Sequence, residues 1–244
     1  MGEFTFVIEK PCPICGKTTR VVKTKSRLLA QKTDEDYCVH YKDFNPYLYR
    51  VWFCEHCGFA ADEKRFLGTI PARSKKKIQE FLEARHLAMK FTEVRGVPEA
   101  VASYQMAIYY EELIDGMFHT RAGLYLSLAW VYRDTEEREK EMEAMQKAAD
   151  LYDKSLMKER YPIGNMTDNM AIYLVGAIYF RMGDLDKATQ YLSRIIGDQK
   201  ARDMDSQVYK RARDLWQDVR ELKGEKDEPP VQEKKTAGLF RKKR

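Results

Sequence analysis

The sequence predicts an α+β chain of two modules, in which a small β head precedes an all-α domain of helical repeats and a disordered basic tail. Two cysteine pairs lie among β-rich segments near the start of the 244-residue chain. Apolar periodicity typical of helices begins at Ile78. Charge and proline dominate the sequence from residue 224 onwards. We therefore place the modules at residues 1–70, 78–223 and 224–244.

Composition excludes several classes of protein. Hydrophobic residues make up 44% and charged residues 33% of the chain, which excludes a mainly disordered protein. Mean hydropathy is −0.61, and no run approaches the roughly 20 apolar residues that a membrane helix requires. The first residues lack the basic-then-apolar order of a secretory signal. We therefore expect a cytoplasmic location.

Charge is distributed in blocks that follow the proposed modules. Residues 10–77 carry 15 basic and 7 acidic side chains, residues 78–233 carry 22 and 29, and residues 234–244 carry 6 basic and no acidic ones. Such asymmetry indicates separate modules with different partner surfaces. Attraction between a basic head and an acidic body within the chain explains it equally well.

Four of the five cysteines form two pairs with the same CxxCG pattern, at residues 12–16 and 54–58. Two residues between thiolates allow a tight turn to direct both sulfurs at one ion, and two such turns complete a tetrahedron. Gly16 and Gly58 can adopt positive φ without steric cost, which turns backbone N–H groups towards the sulfurs. The pattern predicts one metal ion held by Cys12, Cys15, Cys54 and Cys57.

A closed set of four thiolates leaves no coordination position for water or substrate, so the predicted metal is structural. Zinc is the favoured ion because most of the chain lies outside the cysteine-bearing segment. Iron is the alternative, since rubredoxin-like electron carriers use similar knuckles. Cys38 is interpreted as a buried or spare thiol, and His40 and His56 as bystanders.

The strand signals support a zinc ribbon. Residues 4–8 and 19–23 are β-rich and flank the first cysteine pair, while residues 47–53 run directly into the second. Two hairpin-like knuckles clamped by one ion have too little apolar core to fold well without it. We expect the head to unfold when the metal is removed.

Beyond the head, a small residue followed by an aromatic one recurs at residues 88, 129 and 176. This pattern resembles tetratricopeptide repeats, although the spacing exceeds the roughly 34 residues of a regular repeat. It predicts insertions near residues 115–120 and 161–167 and a long turn over residues 134–143. A capping helix over residues 203–223 follows, with an apolar stripe of Val208, Leu215, Val219 and Leu222. A generic helical bundle remains the alternative.

If the helices pack as tetratricopeptide repeats, the first helices of the repeats line a concave groove that takes a peptide or helix. The candidate lining residues are mostly apolar or aromatic, so an apolar helical ligand is expected. Ordinary core packing explains any one of them equally well. They are Arg85, His86, Met89, Leu126, Trp130, Met170, Tyr173 and Ala177.

Basic segments suggest a second function. No acidic residue occurs over residues 10–33 or 64–79, and Lys75, Lys76 and Lys77 form a candidate basic patch. Contacts between such side chains and phosphates bind nucleic acid in a salt-dependent way. The tail over residues 224–244 is either simply solvated or touches nucleic acid, an anionic membrane surface or an acidic partner.

The sequence over residues 45–61, together with residues 11–16, resembles a bacterial family catalogued only as a domain of unknown function. Members of that family pair a CxxC…CxxC ribbon with a helical, tetratricopeptide-like C-terminal region. The resemblance covers residues 3–222 and implies metal ligation by the four cysteines. Glu55 stands where the second knuckle more often has proline. The family has no assigned activity.

The sequence contains no nucleophile elbow, phosphate-binding glycine loop, HExxH pair or dinucleotide fingerprint. We therefore expect a non-enzymatic zinc-binding scaffold or adaptor with a protein or peptide partner and no small-molecule substrate. The alternatives are a nucleic-acid-binding regulator that uses the basic face of the ribbon and a rubredoxin-like electron-transfer protein.

Overall fold

The computed structural model describes residues 3–85 and 93–224, in which six short strands precede nine α-helices. The strands pair as three separate antiparallel hairpins. The first joins β1 (Thr5–Pro11) to β2 (Thr18–Thr24), the second joins β3 (Ala30–Thr33) to β4 (Val39–Tyr41), and the third joins β5 (Val51–Phe53) to β6 (Ala60–Asp62). The strands predicted beside the first cysteine pair are confirmed.

The segment before the second cysteine pair differs from the prediction. A 3-10 helix over Pro46–Tyr49 replaces the first half of the expected strand, and only β5 is extended. The side chain of Asn45 accepts a hydrogen bond from the backbone N–H of Tyr47 at 2.9 Å. Proline at the first helical position already has the φ that a helix requires, so the β-branched and aromatic residues after it do not decide the conformation.

The helices begin soon after the last strand. Side chains of Asp62, Thr167 and Asp184 cap the helices that follow them by accepting backbone N–H groups, as N-cap residues do. The helices are α1 (Glu63–Leu67), α2 (Ala72–Glu83), α3 (Val97–Leu113), α4 (Phe118–Asp134), α5 (Arg138–Lys158), α6 (Asp168–Met182), α7 (Leu185–Ile196), α8 (Gln199–Met204) and α9 (Ser206–Lys223).

Two predicted connections are shorter than expected. The prediction of a long turn over residues 134–143 is wrong. Glu136 adopts the left-handed conformation (φ 58°), and α5 already begins at Arg138. The segment lacks the glycine that usually makes a tight turn, and Glu136 makes that turn instead. The insertion predicted near residues 115–120 is also shorter than expected, because α4 begins at Phe118. The insertion near residues 161–167 is confirmed as the connection between α5 and α6.

The predicted capping helix is confirmed as α9, with Val208, Leu215 and Val219 buried. Leu222 is 65% exposed and does not belong to the apolar stripe. Residues 225–244 of the predicted tail lie outside the described residues. Among the helices of the described part, none is long and apolar enough to cross a membrane.

The buried side chains of the head and of the helices form one continuous core, which extends from Cys12 through Trp52 and Tyr104 to Val219. The α+β class, with a cysteine-bearing β head and an all-α domain, is confirmed. The assignment of the helices to the tetratricopeptide class stays a prediction, as do the module boundaries.

Candidate metal centre

Each cysteine pair lies in the turn of a hairpin, the first between β1 and β2 and the second between β5 and β6. The two turns have the same hydrogen bonds. Gly16 N–H donates to the Cys12 carbonyl at 2.9 Å, and Gly58 N–H donates to the Cys54 carbonyl at 2.8 Å. Both glycines have positive φ, 74° and 83°, as the sequence predicted.

The two turns bring the four sulfurs together. The Sγ atoms of Cys12 and Cys57 are 3.7 Å apart, those of Cys15 and Cys54 are 3.8 Å apart, and all four lie within 4.8 Å of one another. All four cysteines are free of disulfides. Metal–sulfur bonds of about 2.3 Å in a tetrahedral site place the sulfurs roughly 3.8 Å apart. The sulfur set therefore fits one tetrahedral ion, and this geometry does not distinguish zinc from iron.

The cluster is electrostatically unfavourable for four thiolates alone. The neighbouring Cys54 sulfur and, after it, burial raise the pKa of the Cys12 thiol to about 12. Contact with Cys12 likewise raises the pKa of Cys57. A divalent cation stabilises the deprotonated form of such sulfurs, so the residues present suit a bound metal ion.

Two helices hydrogen-bond directly to the backbone of the cysteine turns. The Gln79 side chain on α2 donates to the Ile14 carbonyl in the first turn at 3.0 Å. The buried Tyr110 hydroxyl on α3 donates to the Gly58 carbonyl in the second turn at 2.9 Å. The candidate metal centre therefore lies at the junction between the head and the helices.

The matching family model is described as "uncharacterized protein conserved in bacteria (DUF2225)", and it spans residues 8–219 with all four cysteines. The chain belongs to the DUF2225 family. A search of the curated proteins and a search of the solved structures found no match to this DUF2225 chain. The predicted resemblance to a bacterial domain family of unknown function is thereby confirmed.

A second group of metal-binding residue types lies in the β3–β4 hairpin, where Asp34, Cys38 and His40 approach within 4.8 Å of one another. Arg133 and His40 lie 2.9 and 2.7 Å from one oxygen of Asp34, and Lys32 lies 2.7 Å from the other. These groups already contact the Asp34 carboxylate, and the positive charges of Lys32 and Arg133 oppose binding of a divalent ion there. Cys38 is buried, and burial raises the pKa of its thiol to about 12.

The imidazole of His56 contacts the backbone of a neighbouring strand. Its Nε2 is 2.8 Å from the Thr18 carbonyl oxygen, on the neighbouring strand β2. The interpretation of His40 and His56 as bystanders stays a prediction.

Of the predicted groove residues of this DUF2225 chain, Trp130 and Tyr173 are in contact with the head. Leu126, Trp130, Tyr173 and Ala177 are all buried. Met170 is partly buried and Arg85 is exposed, with its guanidinium 4.4 Å from the Phe81 ring centre. His86 and Met89 lie outside the described residues. The predicted binding of an external partner stays a prediction.

The segment that covers this face is the tip of the β3–β4 hairpin. Trp130 donates its indole N–H to Asp36 at 3.0 Å, and the Tyr173 hydroxyl donates to the Glu35 carbonyl at 2.9 Å. The ring of Tyr37 packs edge-on against that of Tyr173. Sequence reasoning missed this hairpin. The acidic triplet at residues 34–36, in a head with a net positive charge, is the sequence signal that could have indicated it.

A buried ion-pair network holds the hairpin tip. Arg133, whose side chain is 5% exposed, contacts Asp36 at 2.7 Å and Glu141 at 2.6 Å as well as Asp34. Arg181 adds a contact of 3.2 Å to Glu141. Burial alone would raise the pKa of Asp34, but hydrogen bonds from His40 and Lys32 lower it below its ordinary range. The acidic tip and the basic helix face are thus complementary.

The candidate basic patch lies on α2 and is partly neutralised. Lys77 contacts Asp115 at 3.2 Å and the Leu113 carbonyl at 3.3 Å, and Lys76 lies 3.7 Å from Glu80. Lys75 is partly buried. Binding of nucleic acid at this patch stays a prediction.

Proposed function

We propose that this DUF2225 protein is a non-enzymatic zinc-binding scaffold that binds a protein or peptide partner. The observation that carries the proposal is the closed set of four sulfurs with helices bonded to both of its turns. Four thiolates complete a zinc coordination sphere and leave no position for a substrate, which is the pattern of structural sites.

When bound, the ion links the two cysteine hairpins through four metal–sulfur bonds. Gly16 and Gly58 shape the turns, and Gln79 and Tyr110 bond the turns to α2 and α3. Because the head in turn packs on the helices through a shared core, the metal supports the presentation of one surface to a partner.

The partner-binding face in this proposal is the one that Trp130, Arg133 and Tyr173 form on α4 and α6. The chain's own occupant of this face is a hairpin tip with three consecutive acidic residues. The face holds the tip by charge-assisted bonds from Arg133 to carboxylates and by a hydrogen bond from Tyr173 to the backbone. A peptide with acidic side chains could make the same bonds if the tip were displaced. We infer that an acidic peptide competes with the hairpin for this face, rather than an apolar helix.

A labelled peptide of residues 32–40 tests this face by fluorescence polarisation. The doubly substituted chain Asp34→Ala/Asp36→Ala, whose own tip has lost its ion pairs, is expected to bind the peptide, while the unsubstituted chain excludes it. A peptide with the same two substitutions is the matched control and is expected not to bind. Zinc content and circular dichroism verify that the variant is folded. Failure of the folded variant to bind removes this face from the proposal.

Elemental analysis of protein purified without added metal tests the metal. The proposal expects one zinc ion per chain. Iron, with visible colour and a reversible redox wave, would instead support the electron-transfer alternative. In that case the helices would serve as the docking site for a redox partner.

A further inference from the structure

A cavity of about 440 Å³ lies where the head meets α4, α5 and the loop before α6. Arg50 and residues 62–69 form its head wall, residues 117–124 form the α4 wall, and Tyr152 comes from α5. Its volume falls in the range of roughly 300–1,000 Å³ that small-molecule sites occupy.

The cavity has a net positive charge along its lining. Arg50 and Lys64 line it, and neither side chain has an ion pair or hydrogen bond within the described residues. A third cation, Arg65, is already neutralised, because its Nε and Nη2 donate hydrogen bonds of 2.5 and 2.7 Å to the Glu111 carboxylate. Asp62, the acidic residue of the lining, accepts the Arg65 backbone N–H at 2.7 Å as the cap of α1. This charge pattern favours an anion.

A tyrosine hydroxyl faces the same space. Tyr152 is 3% exposed and lines the cavity, and its hydroxyl has no hydrogen-bond partner in the part of the chain that the structure describes. Burial raises the pKa of Tyr152, so the hydroxyl keeps its proton and can donate it. The hydroxyl is therefore available to donate a hydrogen bond to an anionic group in the cavity.

Gly123 of α4 lines the cavity next to Tyr152. Gly123 lies inside α4, where glycine is less favourable than alanine by roughly 1 kcal/mol. A Cβ atom at this position would lie 3.7 Å from the Tyr152 hydroxyl. That distance is an ordinary van der Waals contact, so the wall of α4 lies directly beside the Tyr152 hydroxyl.

The rest of the lining is mixed, with His119, Thr69 and Thr120 as polar residues beside several apolar ones. Met117 and Leu124 of the α4 wall and Ile163 and Met166 of the loop contribute side chains to it. Reciprocal backbone hydrogen bonds of 2.9 and 3.1 Å between Ile163 and Met166 hold this loop in a tight turn. A ligand that fills the cavity therefore needs an apolar part as well as an anionic one.

We propose that this cavity binds a small amphiphilic anion, namely a phosphate or carboxylate group on a short apolar chain. Arg50 and Lys64 hold the anionic group, Tyr152 donates a hydrogen bond to it, and the apolar chain packs against Met117 and Ile163. The site is independent of the proposed partner-binding face. It adds a small-molecule ligand that no sequence motif indicated.

Calorimetric titration of the zinc-loaded full chain with octyl phosphate tests the proposal. One molecule is expected to bind per chain, and Arg50→Gln and Lys64→Gln are each expected to weaken binding about tenfold or more, because each removes a charge-assisted bond. Lys210→Gln, on the exposed surface of α9, is the matched control and is expected to bind like the unsubstituted chain.

Inorganic phosphate and octanol each carry only half of the recognised chemistry, so both are expected to bind at least tenfold more weakly than octyl phosphate. Sedimentation with phosphatidylglycerol vesicles identifies the source of the ligand. Vesicle binding that Arg50→Gln abolishes assigns a lipid headgroup, whereas octyl phosphate binding alone assigns a soluble ester. The proposal is overturned if octyl phosphate does not bind, or if Arg50→Gln and Lys64→Gln, with unchanged melting temperatures, bind it as the unsubstituted chain does.

Discussion

The Tyr110 hydroxyl on α3 donates a hydrogen bond to the carbonyl oxygen of Gly58, at 2.9 Å inside the shared core. Gly58 completes the second cysteine turn, so this bond joins the candidate metal centre to the helical domain. Gln79 makes the equivalent connection to the first turn. The metal centre and the packing of the head on the helices are therefore coupled.

Removal of the metal ligands is expected to disrupt more than the head. Cys54→Ser/Cys57→Ser should abolish metal binding and lower the melting temperature of the whole chain, because structural zinc sites contribute folding free energy directly. Cys38→Ser is the control, since Cys38 lies outside the sulfur cluster, and it should retain one metal ion per chain. Elemental analysis and thermal denaturation measure both. A double variant that melts like the unsubstituted chain would contradict the coupling.

Removal of the Tyr110 hydroxyl should lower the stability of the chain although the aromatic ring remains. Tyr110→Phe leaves the Gly58 carbonyl without its donor, which is expected to lower the free energy of unfolding by about 1–3 kcal/mol. Tyr109→Phe is the matched control, because Tyr109 is the adjacent residue and is 39% exposed. Urea denaturation compares the two. Equal stability of both variants would show that the hydrogen bond to the metal turn contributes little.

Arg133 is expected to be the most sensitive residue of the hairpin interface. Arg133→Met leaves the buried carboxylates of Asp34, Asp36 and Glu141 without their common partner, which should cost about 3–5 kcal/mol. Arg138→Met, at the exposed start of α5, should change stability by less than about 0.5 kcal/mol. Chemical denaturation measures the difference. If Arg133→Met lowered the free energy of unfolding by less than Arg138→Met does, the network would be energetically neutral.

The same network predicts an acid dependence. The pKa of Asp34 is lower in the folded chain than its ordinary value, so its contribution is present above about pH 4, the ordinary pKa of aspartate, and is lost as the pH falls further. Lys32, His40, Arg133 and Arg181 are the charged or titratable groups that face it.

Denaturation at pH 7 and pH 3 measures this contribution. Asp34→Asn should be less stable than the unsubstituted chain at pH 7, and the difference should narrow at pH 3. A difference that is constant with pH would show that the Asp34 charge does not contribute.

The scaffold proposal predicts no functional binding of duplex DNA at the basic patch. At about 150 mM salt, the unsubstituted chain and Lys75→Glu/Lys76→Glu/Lys77→Glu should both fail to retain a labelled duplex. Nucleic-acid binding would instead give an affinity whose logarithm falls with log salt by about 0.9 per neutralised phosphate, and the triple variant would weaken it. Filter binding across a salt series distinguishes the two functions.

Local chemistry determined what could be predicted about the metal centre. The two CxxCG segments predict the turns, the positive φ of Gly16 and Gly58 and the identity of four sulfurs, because each depends on residues adjacent in sequence. Only the meeting of the two turns required the fold. The helical class likewise follows from periodicity, while Glu136 shows how one left-handed residue can shorten a predicted turn.

The sequence by itself determined the four sulfurs, the cysteine-bearing β head, the helices and the family resemblance. The tertiary structure decided which surfaces face each other. Trp130 and Tyr173 were predicted to line a groove, and the structure places the hairpin tip at residues 34–37 over them. It also brought Arg50, Lys64 and Tyr152 to one cavity. Such pairings depend on the packing of segments far apart in sequence, which periodicity and spacing do not encode.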